Sequence, residues 1–563
     1  MKVRLFILIL FFFIIKLFGQ VDYVQISNFA IYDLLDELAS EQVISLNTTA
    51  KPYSSKLIFE KLKEAYEKED ELNIRQLEEV EFYLNEYKFI KQGHDNPYSD
   101  KAKLNIFNKA SHFSTSINPF GFFYKDSLFS LTVKPIWGVK YWMNDSGSVI
   151  QTWGGAELKA SVGKHFGFYA SLRDNRINNV LAEADYFTEL KGGTYQYNKN
   201  ARKGADFNEM IGGITYSWKW GELGIIKDNI IWGDNYNGAN ILSGRTPSFP
   251  MVKFYINPAH WFNFNYFHGW LISEVKDSSR SYIASSGDNR WVYRNKFMAA
   301  NLFTITPFKG VNLSIGNSII YSDNDLNPAF FIPFMFYKSI DHTLNHSIDN
   351  HNSQLFGNAS LRVIKHLHLY GTLFIDELKL ARITNDTLHN FYSIKMGSKI
   401  SNWPIKNISV TGEFTHTNPL TFQHRLETLE YESNQYNLGH YLTDNSREIY
   451  ADITVKPINK LKVSLSYVNA KHGNVYNYIT NIPGLKVDAY PVLKNVTWHK
   501  KSITFKSSYE FLNNSYIIIE YIISDIKGYD VDGLPAQYYL DKYTPDFFQG
   551  KHNTLMLSMN FGF

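Results

Sequence analysis

Residues able to do chemistry are scattered along this chain, and their spacing does not assemble a catalytic centre. Its 17 histidines never fall in a His-Glu-x-x-His or comparable metal spacing. His366 and His368 sit two apart on one face of a strand at a turn, and read as a solvated turn rather than a metal pair. Asp323-Asn324-Asp325, followed by Asn327, offers oxygen ligands in the manner of a calcium loop. It lacks the glycine and distal glutamate of an EF-hand, so it reads as a polar loop, as does Asp530-Val531-Asp532-Gly533. Asp376-Glu377 is the obvious carboxylate pair for glycoside hydrolysis. Adjacent strand residues point to opposite faces, however, and cannot flank one bond. Neither a Gly-x-Ser-x-Gly elbow nor a Walker-type loop occurs. Cysteine is absent, which removes disulfides, thiolate sites, cysteine nucleophiles and a lipid-anchored N-terminal cysteine together. The expectation is a protein without enzyme activity, metal or cofactor.

What the chain has in excess is aromatic rings: 42 Phe, 38 Tyr and 11 Trp make up 16% of it. Most of these suit the wall and interfacial girdle of a membrane barrel. One subset invites a ligand. Trp232, Tyr236, Trp261 and Trp270 lie near Asp234, Asn237 and Arg245 in the sequence. Flat aromatic faces stack on sugar rings while Asp, Asn and Arg bind hydroxyls, so these seven residues are the candidate glycan site.

Such residues must be held by strands of period two. At the C-terminus Leu555, Leu557, Met559, Phe561 and Phe563 alternate with Met556, Ser558, Asn560 and Gly562, as a lipid-facing strand ending on an aromatic would. Ile449, Ala451, Ile453 and Val455 lead through Pro457-Ile458-Asn459-Lys460 into Leu461, Val463, Leu465 and Tyr467, a tight hairpin. Similar hairpins turn at Pro307-Phe308-Lys309-Gly310, at Lys365-His366 and at Asn513-Asn514. Tight turns recur near 164, 221, 308, 365, 405, 458 and 513. Longer polar stretches, 273–290, 322–328, 341–354 and 470–485, lie between them. Short turns on one side and long loops on the other are the layout of an outer-membrane barrel, and about 25 residues per strand and connection gives about 18 strands. A sandwich array would show domain boundaries and a propeller a fixed repeat; neither appears.

The first residues differ. Lys2 and Arg4 precede the apolar run Leu5 to Ile15, too short for a permanent span, so 1–19 reads as a cleaved secretory signal. Residues 20–104 read as an amphipathic helical segment left in the periplasm. Ile31, Leu34, Leu35 and Leu38 form one stripe, Ile58, Leu62, Ala65 and Tyr66 a second, and Leu77, Val80, Leu84 and Tyr87 a third. Their charged faces read as solvated, and their stripes must pack on each other or on the strands C-terminal to them. Pro52 interrupts the first helix, and Ser54 or Ser55 caps the next. Residues 105–563 form the barrel. Mean hydropathy of −0.27 excludes a polytopic helical membrane protein, and a net charge of +3 points to no nucleic-acid partner.

The chain resembles the Wzi-type capsule-assembly family of outer-membrane proteins in its Bacteroidetes-like form. The resemblance begins with Tyr32-Asp33-Leu34-Leu35-Asp36-Glu37-Leu38 and Lys51-Pro52-Tyr53-Ser54. It continues through Gly154-Gly155-Ala156-Glu157-Leu158, Leu172-Arg173-Asp174-Asn175, Lys227-Asp228 and Trp232-Gly233. Ile241-Leu242-Ser243, Phe249-Pro250, Asn327-Pro328, Ile332-Pro333, Asp349-Asn350 and Asp376-Glu377 complete it. Asp234-Asn235-Tyr236-Asn237-Gly238 departs from the family, being longer and more polar than its glycine-rich run. The resemblance implies a barrel of about 18 strands over a periplasmic helical bundle, attaching or assembling surface polysaccharide without catalysis. The expected partners are outer-membrane lipid, surface polysaccharide and other envelope proteins. A porin-like channel, or a structural subunit of a gliding or secretion complex, is the alternative. Both chain ends are expected on the periplasmic side, with 273–290, 341–354 and 470–485 outside the cell.

Overall fold

The computed structural model describes residues 22–92, 114–118, 121–125, 128–197, 203–345, 350–378, 390–476 and 490–562. The expected signal peptide 1–19 lies outside them, as do residues 20–21 and 93–104 of the expected helical segment. Among the described residues, no helix is long and apolar enough to cross a membrane.

Three helices open the described chain: α1 (Phe29–Ser40), α2 (Ser55–Tyr66) and α3 (Ile74–Gln92). Ser54 caps α2, its hydroxyl accepting from Leu57 N at 3.3 Å. The expected stripes converge, with Ile31, Leu34, Leu35, Leu38, Ile58, Leu62, Ala65, Val80 and Tyr87 sharing one buried core. Tyr66 does not join it and lies exposed. The charged faces are solvated only in part: Glu60, Lys63 and Glu67 of α2 are exposed as expected, but others are not. Glu37, Arg75, Glu79 and Glu86 are all buried, because the bundle presses them against the barrel.

The barrel is a closed antiparallel sheet of 18 strands. They are β1 (Phe129–Asn144), β2 (Gly147–Val162), β3 (Phe166–Ile177), β4 (Ala205–Trp218), β5 (Gly221–Asp228) and β6 (Phe249–Ala259). Next come β7 (Phe262–Leu271), β8 (Lys296–Phe308), β9 (Val311–Tyr321), β10 (Asn352–Leu361), β11 (Leu367–Glu377) and β12 (Phe391–Ser401). The circle closes with β13 (Ile408–Thr417), β14 (Ser446–Val455), β15 (Leu461–Gly473), β16 (Val496–Leu512), β17 (Ser515–Gly528) and β18 (Gly550–Phe561), which returns to β1. Alternation sorts the side chains. Ile503, Phe505, Ile517, Ile519, Tyr521 and Ile523 point outward as an exposed apolar band, while the serines and lysines between them point inward.

Every expected tight turn falls at one end of the barrel. Gly310 shows why a turn residue is specified: its φ is +82°, and a Cβ there would sit 2.6 Å from the Arg362 carbonyl. The helical bundle packs under this turn end. His366 N donates to Ser40 O at 2.7 Å, Asn312 to Leu46 O at 2.7 Å, and Arg75 to Asn407 at 2.8 Å. The long connections leave from the opposite, loop end. Two of them differ from expectation. Residues 470–473 still belong to β15, and the loop proper begins at 474, of which 477–485 lies outside the described residues. Residues 341–344 close the helix α4 (Tyr337–Leu344), which packs on the wall instead of standing clear as a polar loop.

Before β1, a short hairpin (Ser114–Asn118 with Gly121–Lys125) pairs along β1 from Ser130 to Val133. β18 pairs with the same edge farther along, from Trp137 to Met143.

Candidate functional site in the barrel lumen

The β5–β6 connection, 229–248, folds back into the lumen. Ile231–Trp232 pairs on one side with Ala50–Lys51 of the N-terminal segment and on the other with Leu242–Ser243. A three-stranded sheet therefore ties the bundle to an inserted loop inside the barrel. The β13–β14 connection adds Phe422, Leu429, Tyr431 and Leu438 to the same apolar core, which packs on inward residues from β1 through β11.

This plug answers where four of the sequence-predicted residues go. Trp232 is 2% exposed and packs edge-on against Phe267 and Phe356, with centroids 5.3 and 5.8 Å away. Asp234 exchanges two hydrogen bonds with Asn358, at 3.0 and 2.9 Å. Burial raises its carboxyl above the usual range, opposed by Arg362. The Tyr236 hydroxyl donates to Asp36 of α1 at 2.7 Å and meets His368 Nδ1 at 2.9 Å. Burial, and then the Asp36 charge, keep this hydroxyl protonated far above the ordinary phenol value. Asn237 donates to Glu448 at 3.0 Å.

Three predicted residues are not brought to that group. Arg245 lies near the loop end, donating to the carbonyls of Glu183 and Tyr186 at 3.1 and 2.6 Å, with Tyr436 under its guanidinium. Trp261 sits in the β6–β7 turn, 52% exposed, where a girdle residue belongs. Trp270 is at the other end of β7 and on its outer face, beside His268.

The charged residues that hold the plug were not visible as a set in the sequence. Asp36 receives Arg362 at 2.7 Å, Lys399 at 2.8 Å and the Tyr236 hydroxyl. Burial alone would raise its carboxyl, but Lys399 and Arg362 outweigh it and hold Asp36 well below the usual carboxylate range. Glu413 accepts from the backbone N–H groups of Tyr236 and Asn237, at 2.7 and 2.9 Å, and from the Tyr370 hydroxyl. Its ion pair with Lys395, 3.0 Å long, is fully buried. His368, read as part of a solvated turn, is 1% exposed and bound to Tyr236 and Ser360, whereas His366 turns to Ser401 O. The two histidines thus do not converge, and no metal-holding cluster occurs among the described residues. The other acidic motifs are structural: Asp323 pairs with His351, Asn327 accepts from Ala329 N, and Asp530 accepts from Ala536 N.

Beside the plug the lumen is hollow. A cavity of ≈ 590 Å³ follows the inner faces of β13–β17, from Asp33 of α1 to Tyr543 at the end of α5 (Ala536–Tyr543) over the loop end. Its wall includes Lys462, Ser464 and Ser466 on β15 and Lys500, Ser502, Thr504, Lys506 and Ser508 on β16, with the apolar Val468 and Trp498 at the next inward positions towards the loop end. Tyr236 and Asn237 line its plug side, and Tyr450, Trp498 and Tyr543 supply aromatic faces. Hydroxyls, ammonium groups and rings facing one cavity are suited to holding a polyhydroxylated or charged solute.

Fold and lumen together define a class: a closed 18-stranded transmembrane β-barrel, plugged on one side of its lumen. No family model and no curated protein matches the chain. Among solved structures it is similar to Wzi of Escherichia coli, described as an outer-membrane protein involved in group 1 capsule assembly and a carbohydrate-binding β-barrel. The TM-score is 0.54 at 11% identity, over 97% of this chain and 100% of that one. Acinetobacter baumannii OccAB2 has a TM-score of 0.41 at 10% identity, over 77% and 97% of the two chains. The outer membrane protein OprD from Pseudomonas aeruginosa has 0.39 at 8% identity, over 77% and 92%. At these identities the likeness is one of fold.

Proposed function

We propose that this protein is a non-enzymatic outer-membrane barrel that binds and helps to assemble surface polysaccharide. The observation that carries this reading is the end-to-end likeness to Wzi, which spans nearly all of both chains and whose description names a carbohydrate-binding barrel. A lumen whose plug leaves a chamber of hydroxyls, lysines and rings supports it. In this reading 1–19 is removed on export, the helical bundle stays in the periplasm under the turn end, and the loop end faces outward. Of the seven candidate glycan residues, Tyr236 and Asn237 line the chamber. Trp232, Asp234 and Arg245 act through the plug, and Trp261 and Trp270 through the wall.

The test is a strain lacking the gene, together with glycan binding by the refolded barrel. Loss of cell-associated polysaccharide, with saturable binding in vitro, is expected; unchanged surface polysaccharide would overturn the reading. A second reading, passage of small solutes, is favoured by one observation: the chamber runs along β13–β17 from one end of the barrel towards the other. Single-channel recording in planar bilayers separates the two, because a barrel closed by its plug stays silent and a pore conducts.

A further inference from the structure

The β9–β10 connection contains the run Phe330-Phe331-Ile332-Pro333-Phe334-Met335-Phe336-Tyr337, between the polar stretches 322–328 and 341–354. This run does not rise above the rim. It descends along the outside of β7, β8 and β9. The parity of the wall fixes the side. Phe267, Met298, Ala300 and Ile320 point into the lumen with Trp232, whereas Phe264, Ala299, Ile319 and Tyr321 point outward and pack on Phe330 and Tyr337. Phe334 stacks on Phe264 at 4.4 Å between centroids, and Phe331 on His268 at 4.1 Å. Phe264 belongs to the turn-end half of β7, so the strap spans more than half the height of the wall.

Hydrocarbon offers no hydrogen-bond partners, so irregular backbone at membrane depth must find its partners in the protein. The wall provides them at outward positions, where apolar side chains are the rule. Asn301 Nδ2 donates to the carbonyls of Pro333 and Met335, both at 2.9 Å. Asn317 Nδ2 donates to Met335 O at 3.2 Å, and its Oδ1 accepts from Tyr337 N at 3.0 Å. The Tyr266 hydroxyl donates to Phe330 O at 3.0 Å. Two asparagines on a bare lipid-facing wall would be costly; covered by the strap, they are the donors it needs. At the rim, His351 holds Asp341 of α4 at 2.7 Å and Asp323 at 3.3 Å, clasping both ends of the excursion. The strap's far side carries no charge: Ile332, Phe334, Met335 and Phe336 are 44%, 52%, 42% and 43% exposed.

We infer that residues 330–337 are a membrane-inserted strap whose binding partner is the acyl-chain layer of the bilayer. The inference rests on the barrel spanning a bilayer and not on its binding polysaccharide, so each can fail alone. Because the chain has no cysteine, Phe334→Cys places a single thiol on the strap and Ser286→Cys a single thiol in the β7–β8 loop. Each full-length variant is labelled with an environment-sensitive fluorophore and refolded into phosphatidylcholine vesicles. Spin-labelled acyl chains should quench the label at 334 and leave that at 286 unaffected, while aqueous iodide should do the reverse. Iodide reaching 334 as readily as 286, or no acyl-chain quenching at 334, overturns the inference. Adding Asn301→Leu and Asn317→Leu to the Phe334→Cys chain should move its label into iodide's reach while the barrel keeps its folded gel mobility. A label that stays among the acyl chains removes the asparagines' role. If that triple variant does not fold, the first comparison still decides.

Discussion

The two sides of the lumen are built on opposite principles. Along β1–β11, inward residues such as Trp153, Met251, Phe267, Leu302 and Phe356 close on the plug as a dry core. Along β13–β17 the same strand geometry points lysine, serine and threonine into an unfilled cavity. Both walls alternate with period two and both outer faces are apolar, so the barrel scaffold is indifferent to what its interior holds. Stability is concentrated on one side, and room for a ligand on the other.

The largest test of that contrast lies at its border. Glu413→Ala leaves Lys395 buried without its carboxylate and frees two plug N–H groups; the expected loss is about 4 kcal/mol, read from urea unfolding in detergent. Inside the packed side, Trp232→Ala should cost about 3 kcal/mol by opening a cavity against Phe267 and Phe356, measured the same way. The strap should respond to pH. His351 is held protonated up to about 9 by Asp323 and Asp341 in spite of its burial. A free imidazole titrates near 6.5, so the stabilisation is complete below about 6.5 and is lost as pH rises through the folded value. Iodide access to a label at 334 should therefore increase in alkali, and His351→Ala should show that access at neutral pH. The smallest effect belongs to the hollow side. Lys500→Ala and Thr504→Ala should change stability by less than about 0.5 kcal/mol, while weakening whatever the chamber binds. A large destabilisation there, or none at Trp232, would erase the distinction.

The scaffold was legible because it is written in local signals. Pro457-Ile458-Asn459-Lys460 and Asn513-Asn514 each lie between runs of period two, and both became hairpin turns at one end of the barrel. The interior was not legible, because a segment filling a lumen and one waving in solvent share a composition. Asp234-Asn235-Tyr236-Asn237-Gly238 looked polar, yet its polar atoms are met by Asn358, Glu413 and Glu448 from distant strands. Asp36 lay off the apolar stripe of its helix and so read as solvated, although Arg362 and Lys399 await it more than 300 residues later. Trp261 and Trp270 were grouped with Trp232 by nearness in sequence, whereas the length of β7 separates them. The strap has a sequence signal of its own: eight consecutive residues from Phe330 to Tyr337 with no charge among them.

One detail of the wall bears on how the molecule is finished and how it keeps to itself. β1 has 16 residues and β18 has 12, and the hairpin 114–125 takes up part of the edge that β18 leaves uncovered. Exposed strand edges recruit other strands, so an open notch at this seam would be a docking place for a neighbouring barrel. The hairpin works as a facing sewn over that margin: the edge of β1 from Ser130 to Val133 is paired and not left open. It also makes the seam the meeting point of residues ahead of the first barrel strand and of the last strand itself. The sheet can therefore be sealed only once β18 has been made.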